Sequence, residues 1–274
     1  MKKEYTTEKE FLKDYNKNDY DLLSITTDIL IFSVSNEEEE NYRKTDKKKM
    51  SILMVKREDY PFKDKWCLPG GFIQIDEDLD DAPKRILKNE TNIDNIYLEQ
   101  LYTFGSVDRD PRMRIVSTSY MALIDKNRLD NKLKNNASWF DITLFHEKNN
   151  QVDIVLDNGT TTISFKIKKV LREKTTDRYS YEIVENENIA FDHPKVILAG
   201  LERLRNKVEY TDIVFNMMPE LFTLGELQQV YEVILNKKLL DPAFRRIIAK
   251  KTEKTDILKK GEGHRPSYLF RYKK

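Results

Sequence analysis

The stretch from Trp66 to Ile93, WCLPGGFIQIDEDLDDAPKRILKNETNI, limits what this chain can fold into more than any other. Asp76, Asp78, Asp80 and Asp81 crowd the start of a helical stretch over residues 79–89. Acids there are ordinarily explained by capping and the helix dipole, and that reading is adopted. Pro83, several residues into the helix, removes a backbone donor and is expected to distort its first turns. Strands bracket the helix: β-branched content and length mark residues 28–34 and 51–55 before it, and 97–104 and 116–124 after it. This interleaving implies mixed α/β structure. Further strands at 139–142, 154–156, 162–170 and 180–184 carry the first domain well past residue 150. Between the first two strands, residues 35–50 are dense in charge and are expected to form a solvated hairpin insertion.

At 274 residues the chain is long for one domain, so two ordinary domains are a reasonable expectation. Hydrophobic residues make up 39% and charged residues 35% of it, enough for cores under a heavily solvated exterior. No stretch approaches the roughly 20 apolar residues of a membrane span, and the N-terminal MKKEYTTEKEF lacks the apolar run of a signal peptide. A cytoplasmic protein with no membrane partner is expected. The single cysteine, Cys67, sits between Trp66 and Leu68 and reads as a small buried hydrophobe. The overall charge of +1 conceals an asymmetry. Residues 237–274 carry 13 Lys and Arg against 4 Asp and Glu, a net of +9, which leaves −8 on residues 1–236. A basic segment on an acidic body is an electrostatic footprint for nucleic acid.

The residues Gly71 to Ile93 resemble the Nudix box, G-x5-E-x7-R-E-U-x-E-E-x-G-U with U a bulky aliphatic. Gly71, Glu77, Arg85, Leu87, Glu90 and Ile93 occupy its first glycine, first glutamate, arginine, aliphatic, last glutamate and final aliphatic positions. The lead-in from Trp66 to Phe72 is similar as well. The resemblance implies a Nudix fold, α/β of the α+β kind. The departures bear on function. Ile86 stands where the pattern has a glutamate, Asn89 replaces the first of the paired glutamates, and Asn92 replaces the second glycine. In the family, glutamates on successive helical turns hold divalent metals that neutralise a diphosphate and activate water. Here Glu90 alone of the three remains as a metal ligand. Ile86, one turn away on the same face, puts hydrocarbon beside it. With Glu77, Arg85 and Glu90 as the residue of the box, no catalytic set is assigned.

Downstream, Arg109, Asp110, Pro111 and Arg112 resemble the RDPR segment of ADP-ribose-handling Nudix proteins and their regulator relatives. Two guanidinium forks suit phosphate oxygens. Arg109 and Arg112, with Phe104 and Arg57, are the candidate ligand-binding residues.

Asp192, His193 and Pro194 then open a helix with Ile197, Leu201, Leu204 and Val208 at helical spacing, expected as a connecting helix. Thr223 and Glu226 form a capping-box pattern ahead of Leu227, Val230, Tyr231 and Ile234. After a short turn, Asp241 is expected to cap, and Pro242 to start, a second helix over residues 242–251. In it Phe244, Ile247 and Ile248 face inward and Arg246 and Lys250 outward. This is helix-turn-helix spacing. The glycine-bounded tip at Gly261, Gly263, His264 and Arg265, inside a hairpin over residues 257–272, suits a wing on phosphate or minor groove. Thr223, Arg245, Arg246, Lys250, His264 and Arg265 are the candidate DNA-binding residues.

In order and content, residues 189–274 are similar to the C-terminal half of the NrtR family of Nudix-related transcriptional regulators. The resemblance implies a Nudix-like ligand-binding domain over residues 1–205 and a winged helix over 206–274. It also implies an ADP-ribose-like effector and a homodimer on double-stranded operator DNA. No cofactor is required on this reading, and Mg²⁺ is reserved for a case in which hydrolysis or ligand binding needs it. The alternative is a Mg-dependent hydrolase of nucleoside diphosphate derivatives with an accessory winged helix; a third reading keeps the regulator with a sugar effector.

Overall fold

The computed structural model describes residues 6–19, 21–37, 47–91, 96–126, 133–173, 178–259 and 266–273. After a short helix α1 (Glu8–Asp14) that buries none of its side chains, the chain enters β1 (Ser24–Glu37), β2 (Lys47–Lys56), β3 (Trp66–Cys67) and β4 (Gly70–Phe72). Helix α2 (Ala82–Thr91) follows, then β5 (Tyr97–Phe104), β6 (Ile115–Leu123), β7 (Ala137–Lys148), β8 (Gln151–Asp157), β9 (Thr162–Glu173) and β10 (Arg178–Asn186). Eight of these strands line up as β10-β9-β8-β7-β2-β1-β6-β5, with β3 on β2 and β4 on β1.

The central strand explains the arrangement. Ile29, Leu30, Ile31 and Phe32 of β1 are all fully buried, a continuous apolar run that needs both faces of the sheet covered. Successive side chains alternate faces: Leu30 and Phe32 join one core cluster, and Ile29 and Ile31 join another with Ile86 and Leu87 of α2. Along β8, by contrast, Val152, Ile154 and Leu156 are buried while their neighbours are only partly so, the pattern of a strand packed on one face.

Several sequence expectations need correction. The ends of the charge-dense insertion pair antiparallel as the expected hairpin does, Glu37 with Lys47 and Ser35 with Lys49, but they extend β1 and β2 and Met50 is buried, not solvated. Main-chain pairing continues there whatever the side-chain polarity; residues 38–46 lie outside the described residues. Pro83 does not distort its helix, because α2 begins at Ala82, which puts the proline in the first turn where the missing N–H is not needed.

The expected connector, α3 (His193–Tyr210), is instead a core element. Val196, Ile197, Leu198, Leu201 and Leu204 are fully buried on it, and a Cβ at Gly200 would lie 2.1 Å from Leu30 Cδ2, so the glycine is what lets helix and sheet touch. The helix runs unbroken through residues 205 and 206. Beyond it stand a 3₁₀ turn (Ile213–Met217), α4 (Leu224–Leu235), α5 (Asp241–Ile248) and the hairpin β11 (Thr252–Lys259) and β12 (Ser267–Tyr272). Helix α4 lies against β2, and Phe222, Leu227, Val230, Ile234, Phe244 and Ile248 belong to the same apolar cluster as Leu30 and Phe32. No helix among the described residues is long and apolar enough to cross a membrane.

In α5 the N-cap is Leu240, not Asp241, and the helix ends at Ile248, short of residue 251. Asp241 Oδ1 accepts from Gln228 Nε2 at 2.8 Å, tying α5 to α4 instead of capping. Phe244 and Ile248 face inward as expected, but Ile247 is 60% exposed.

Candidate ligand pocket and nucleic-acid interface

The box helix α2 is tied to the loop that precedes it by an ion pair. Arg85 Nε and Nη2 donate to Glu77 at 2.6 and 2.7 Å, a bidentate fork that raises the arginine and lowers the carboxyl pKa, while Nη2 also reaches the Phe72 carbonyl at 3.2 Å. Ile86 is buried under Gly71, whose missing Cβ would stand 3.5 Å from Ile86 Cδ1. Asn89 is exposed. Glu90 Oε1 accepts from Lys134 Nζ at 2.7 Å, and its other oxygen is buried with no hydrogen-bond partner among the described residues. These donors do not fit the family's metal cluster. One carboxylate held by a lysine beside a buried isoleucine cannot replace three hard-oxygen ligands, and no group of three acidic, His or Cys side chains among the described residues could hold an ion.

A cavity of about 350 Å³ opens next to the box; Arg57, Glu90, Arg109, Asp110, Arg112 and His193 are among its walls. Arg109 is nearly inaccessible and committed to two carboxylates. Its Nε and Nη2 donate to Asp192 at 3.1 and 2.8 Å, and Nη2 reaches Asp28 at 3.3 Å, leaving Nη1 without a partner among the described residues. Burial opposes charge on Asp28, but His193, Arg109 and the Ser117 hydroxyl (2.5 Å) outweigh it and hold the carboxyl at about 2. His193 Nδ1 accepts from the Leu68 N–H at 2.9 Å and Nε2 lies 3.5 Å from Asp28, geometry that selects the Nε2–H tautomer. Gly70 is required here because a Cβ would come within 2.6 Å of Asp28 Oδ1.

Arg112 closes onto Asp110 through Nε and Nη2 at 3.0 and 2.8 Å and stands over the Phe72 ring at 5.4 Å; its side chain stays 41% exposed. Arg57 donates from Nε to the Pro61 carbonyl at 2.7 Å and stands 4.9 Å over the Phe191 ring. Phe191 has φ 55°, a left-handed conformation uncommon for a bulky residue and one that clusters at ligand sites. The cavity therefore sets the Arg57 and Arg112 guanidinium groups and the Phe72 and Phe191 rings beside exposed Glu58 and Asp59, and the cations and rings can hold an anionic, ring-bearing ligand. Phe104 is not in it: buried at the end of β5, it packs edge-on against Tyr102 and borders a different groove. Asp28, Phe72, Phe191 and His193 also line the cavity, and Asp192 stands behind it holding Arg109; none of the five is among the sequence candidates for the pocket. Cys67 borders the cavity, but burial pushes its thiol up to about 12, so it is not a nucleophile.

At the other end, Thr223 Oγ1 accepts from Glu226 N at 3.1 Å, and Glu226 reaches back to Thr223 N at 2.8 Å, the complete capping box. Tyr231 packs edge-on against Phe244, seating α5 on α4. Arg245, Arg246 and Lys250 are exposed, and none has an ion-pair partner among the described residues. Phe222 and Phe270 exchange main-chain hydrogen bonds of 3.0 and 2.8 Å, joining the hairpin to the start of α4. His264 and Arg265 lie outside the described residues.

Residues 214–272 match the family model described as the NrtR DNA-binding winged helix domain, and residues 41–156 match that of the NUDIX domain. Across 98% of its length the chain is 32% identical to the "ADPR responsive transcriptional repressor NtrR" of Acinetobacter baylyi, covering 89% of that protein. It is 26% identical to Shewanella oneidensis NrtR in a crystal structure with a 27mer DNA, with a TM-score of 0.64 over 91% of this chain and 93% of that one. A MutT/nudix family protein from Enterococcus faecalis shares the fold, with a TM-score of 0.69 at 23% identity over 98% of this chain and 94% of that one.

Proposed function

The chain belongs to the NrtR family of Nudix-related transcriptional regulators, and from that premise we propose that it senses ADP-ribose or a related NAD metabolite and binds operator DNA through its winged helix. The observation that carries the reading is colinearity: the likeness to a repressor responsive to ADP-ribose spans pocket and winged helix in one alignment. Arg112 and Arg57 bind the diphosphate, Arg109 adds at most Nη1, its one nitrogen without a partner among the described residues, and the Phe72 and Phe191 rings stand beside them. Arg245, Arg246 and Lys250 contact DNA phosphate or bases, joined by Thr223 and the tip residues His264 and Arg265. Two copies bind a palindromic site as a homodimer in the cytoplasm, each with residues 1–205 serving the ligand and 206–274 the DNA. No cofactor is needed; a lone Glu90 could at most place one Mg²⁺ on a bound diphosphate. Ile86, buried where a metal ligand belongs, disfavours the hydrolase.

Phosphorus NMR of ADP-ribose with near-stoichiometric protein and Mg²⁺ tests this. Intact diphosphate with shifted or broadened lines is expected. Monophosphate signals would sink the sensor in favour of the hydrolase, and an unperturbed spectrum would assign the regulator another effector.

A further inference from the structure

Helix α5 presents to solvent a face that is not purely cationic. Phe244 and Ile248, one turn apart, are 5% and 1% exposed and account for its attachment to the body. Ala243, Arg246 and Ile247 recur at the three- and four-residue spacing of the outward face, Lys250 stands in the turn that follows the helix, and all four are exposed. Ile247 does not belong to the core cluster, and at 60% exposure it is a branched hydrocarbon set between two cations. Among the described residues nothing covers it.

We infer that Ile247 reads sequence, packing against the C5-methyl of a thymine in the major groove while Arg246 and Lys250 beside it engage the backbone or neighbouring bases. The inference rests on the reading of α5 as the helix that enters DNA. Phosphate contacts from arginine and lysine fix position but carry little sequence information. Among the four bases, thymine alone offers a methyl group to the major groove, and a small aliphatic side chain is its complement. Ala243, one turn before Ile247 on the same face, has too little side chain to hold the helix away from the base edges. The cations on both sides, without an ion-pair partner among the described residues, give this apolar spot a polyanion as its partner, and the net +9 of residues 237–274 agrees.

The test begins with the full chain and a pool of random duplexes from which bound sequences are selected. Each thymine of the selected site is then replaced by deoxyuridine, which lacks only the methyl. The native protein is expected to lose about fourfold in affinity at one thymine per half-site, the value of one buried methyl. Ile247→Ala is expected to bind that duplex more weakly than the native protein and to ignore the same replacement. Its affinity for unselected duplex at low salt should be unchanged, which reports that the helix is folded and still engaged. Indifference of the native protein to every deoxyuridine, or an Ile247→Ala protein that keeps the full thymine preference, overturns the inference. So does a change in the sedimentation of Ile247→Ala without DNA, which would place the side chain against a second copy. Failure of the native protein to enrich any sequence would instead overturn the regulator reading itself.

Discussion

Replacing Arg109 by leucine tests the central electrostatic argument, because the change keeps hydrocarbon bulk and removes the cation between two buried carboxylates. In the native protein Asp28 and Asp192 share that guanidinium, and all three side chains are at most 10% exposed. Removing one partner of a buried pair costs about 3–5 kcal/mol, mostly the penalty of the charge left behind. For a chain of this size each kcal/mol moves Tm by roughly 2–4 °C, so a fall of about 6–20 °C is expected in calorimetry. The pH dependence is the sharper readout. Asp28 is depressed from 3.8 to about 2, so its contribution, on the order of 2 kcal/mol, is fully present above pH 3.8 and is lost only as pH falls through about 2. Between pH 5 and 8 the native protein therefore gains and loses nothing through this group. In Arg109→Leu burial acts with less opposition and favours protonated carboxyls, so the deficit should be largest at pH 8 and shrink toward pH 5. A loss below about 1 kcal/mol, or an equal deficit at both pH values, would refute the reasoning.

Three further outcomes follow from local geometry. Gly200→Ala places a Cβ against Leu30 and should destabilise by about 1–3 kcal/mol through overpacking, read as a lower urea midpoint with unchanged slope. Thr223→Ala removes the cap of α4 and should cost about 1 kcal/mol; Thr223→Ser should restore most of it in the same melt. The Cys67 thiol, raised by burial to about 12, should stay silent to a thiol-specific chromogen at pH 8 until denaturant is added, when one equivalent reacts.

Elements with strong local signals were legible in the sequence. The bounds of β5 (97–104) coincide with those read from pattern alone because it has clear breaks at both ends, and α4 begins directly after Thr223 as its capping-box pattern implies. Of the ligand-binding candidates, Arg57, Arg109 and Arg112 line one cavity, and Glu90, read separately as the residual box carboxylate, lines it too. What the pattern missed lies in long-range pairing. Arg109 meets carboxylates 81 and 83 residues away, and no local rule reveals that its fork is already engaged. Asp28 left one clue, a charged residue at the head of an otherwise apolar strand, which asks for a buried partner. Phe104 was misplaced because nearness in sequence to Arg109 does not carry across the end of β5. Ile247 was put inside since an isoleucine next to another reads as core, although Phe244 and Ile248 already fill the inward face.

The single apolar cluster that runs from Leu30 on the sheet to Ile248 on α5 has a consequence for inheritance and for handling. The C-terminal segment is not a detachable cargo hung on a linker. A chain cut before Leu224 would lay bare the flank of β2 that α4 covers, and such a fragment would tend to aggregate. A winged helix exchanged in from a distant relative would have to bring a matching apolar underside, so the two halves should diverge in step, each substitution beneath α4 constraining what the sheet can accept.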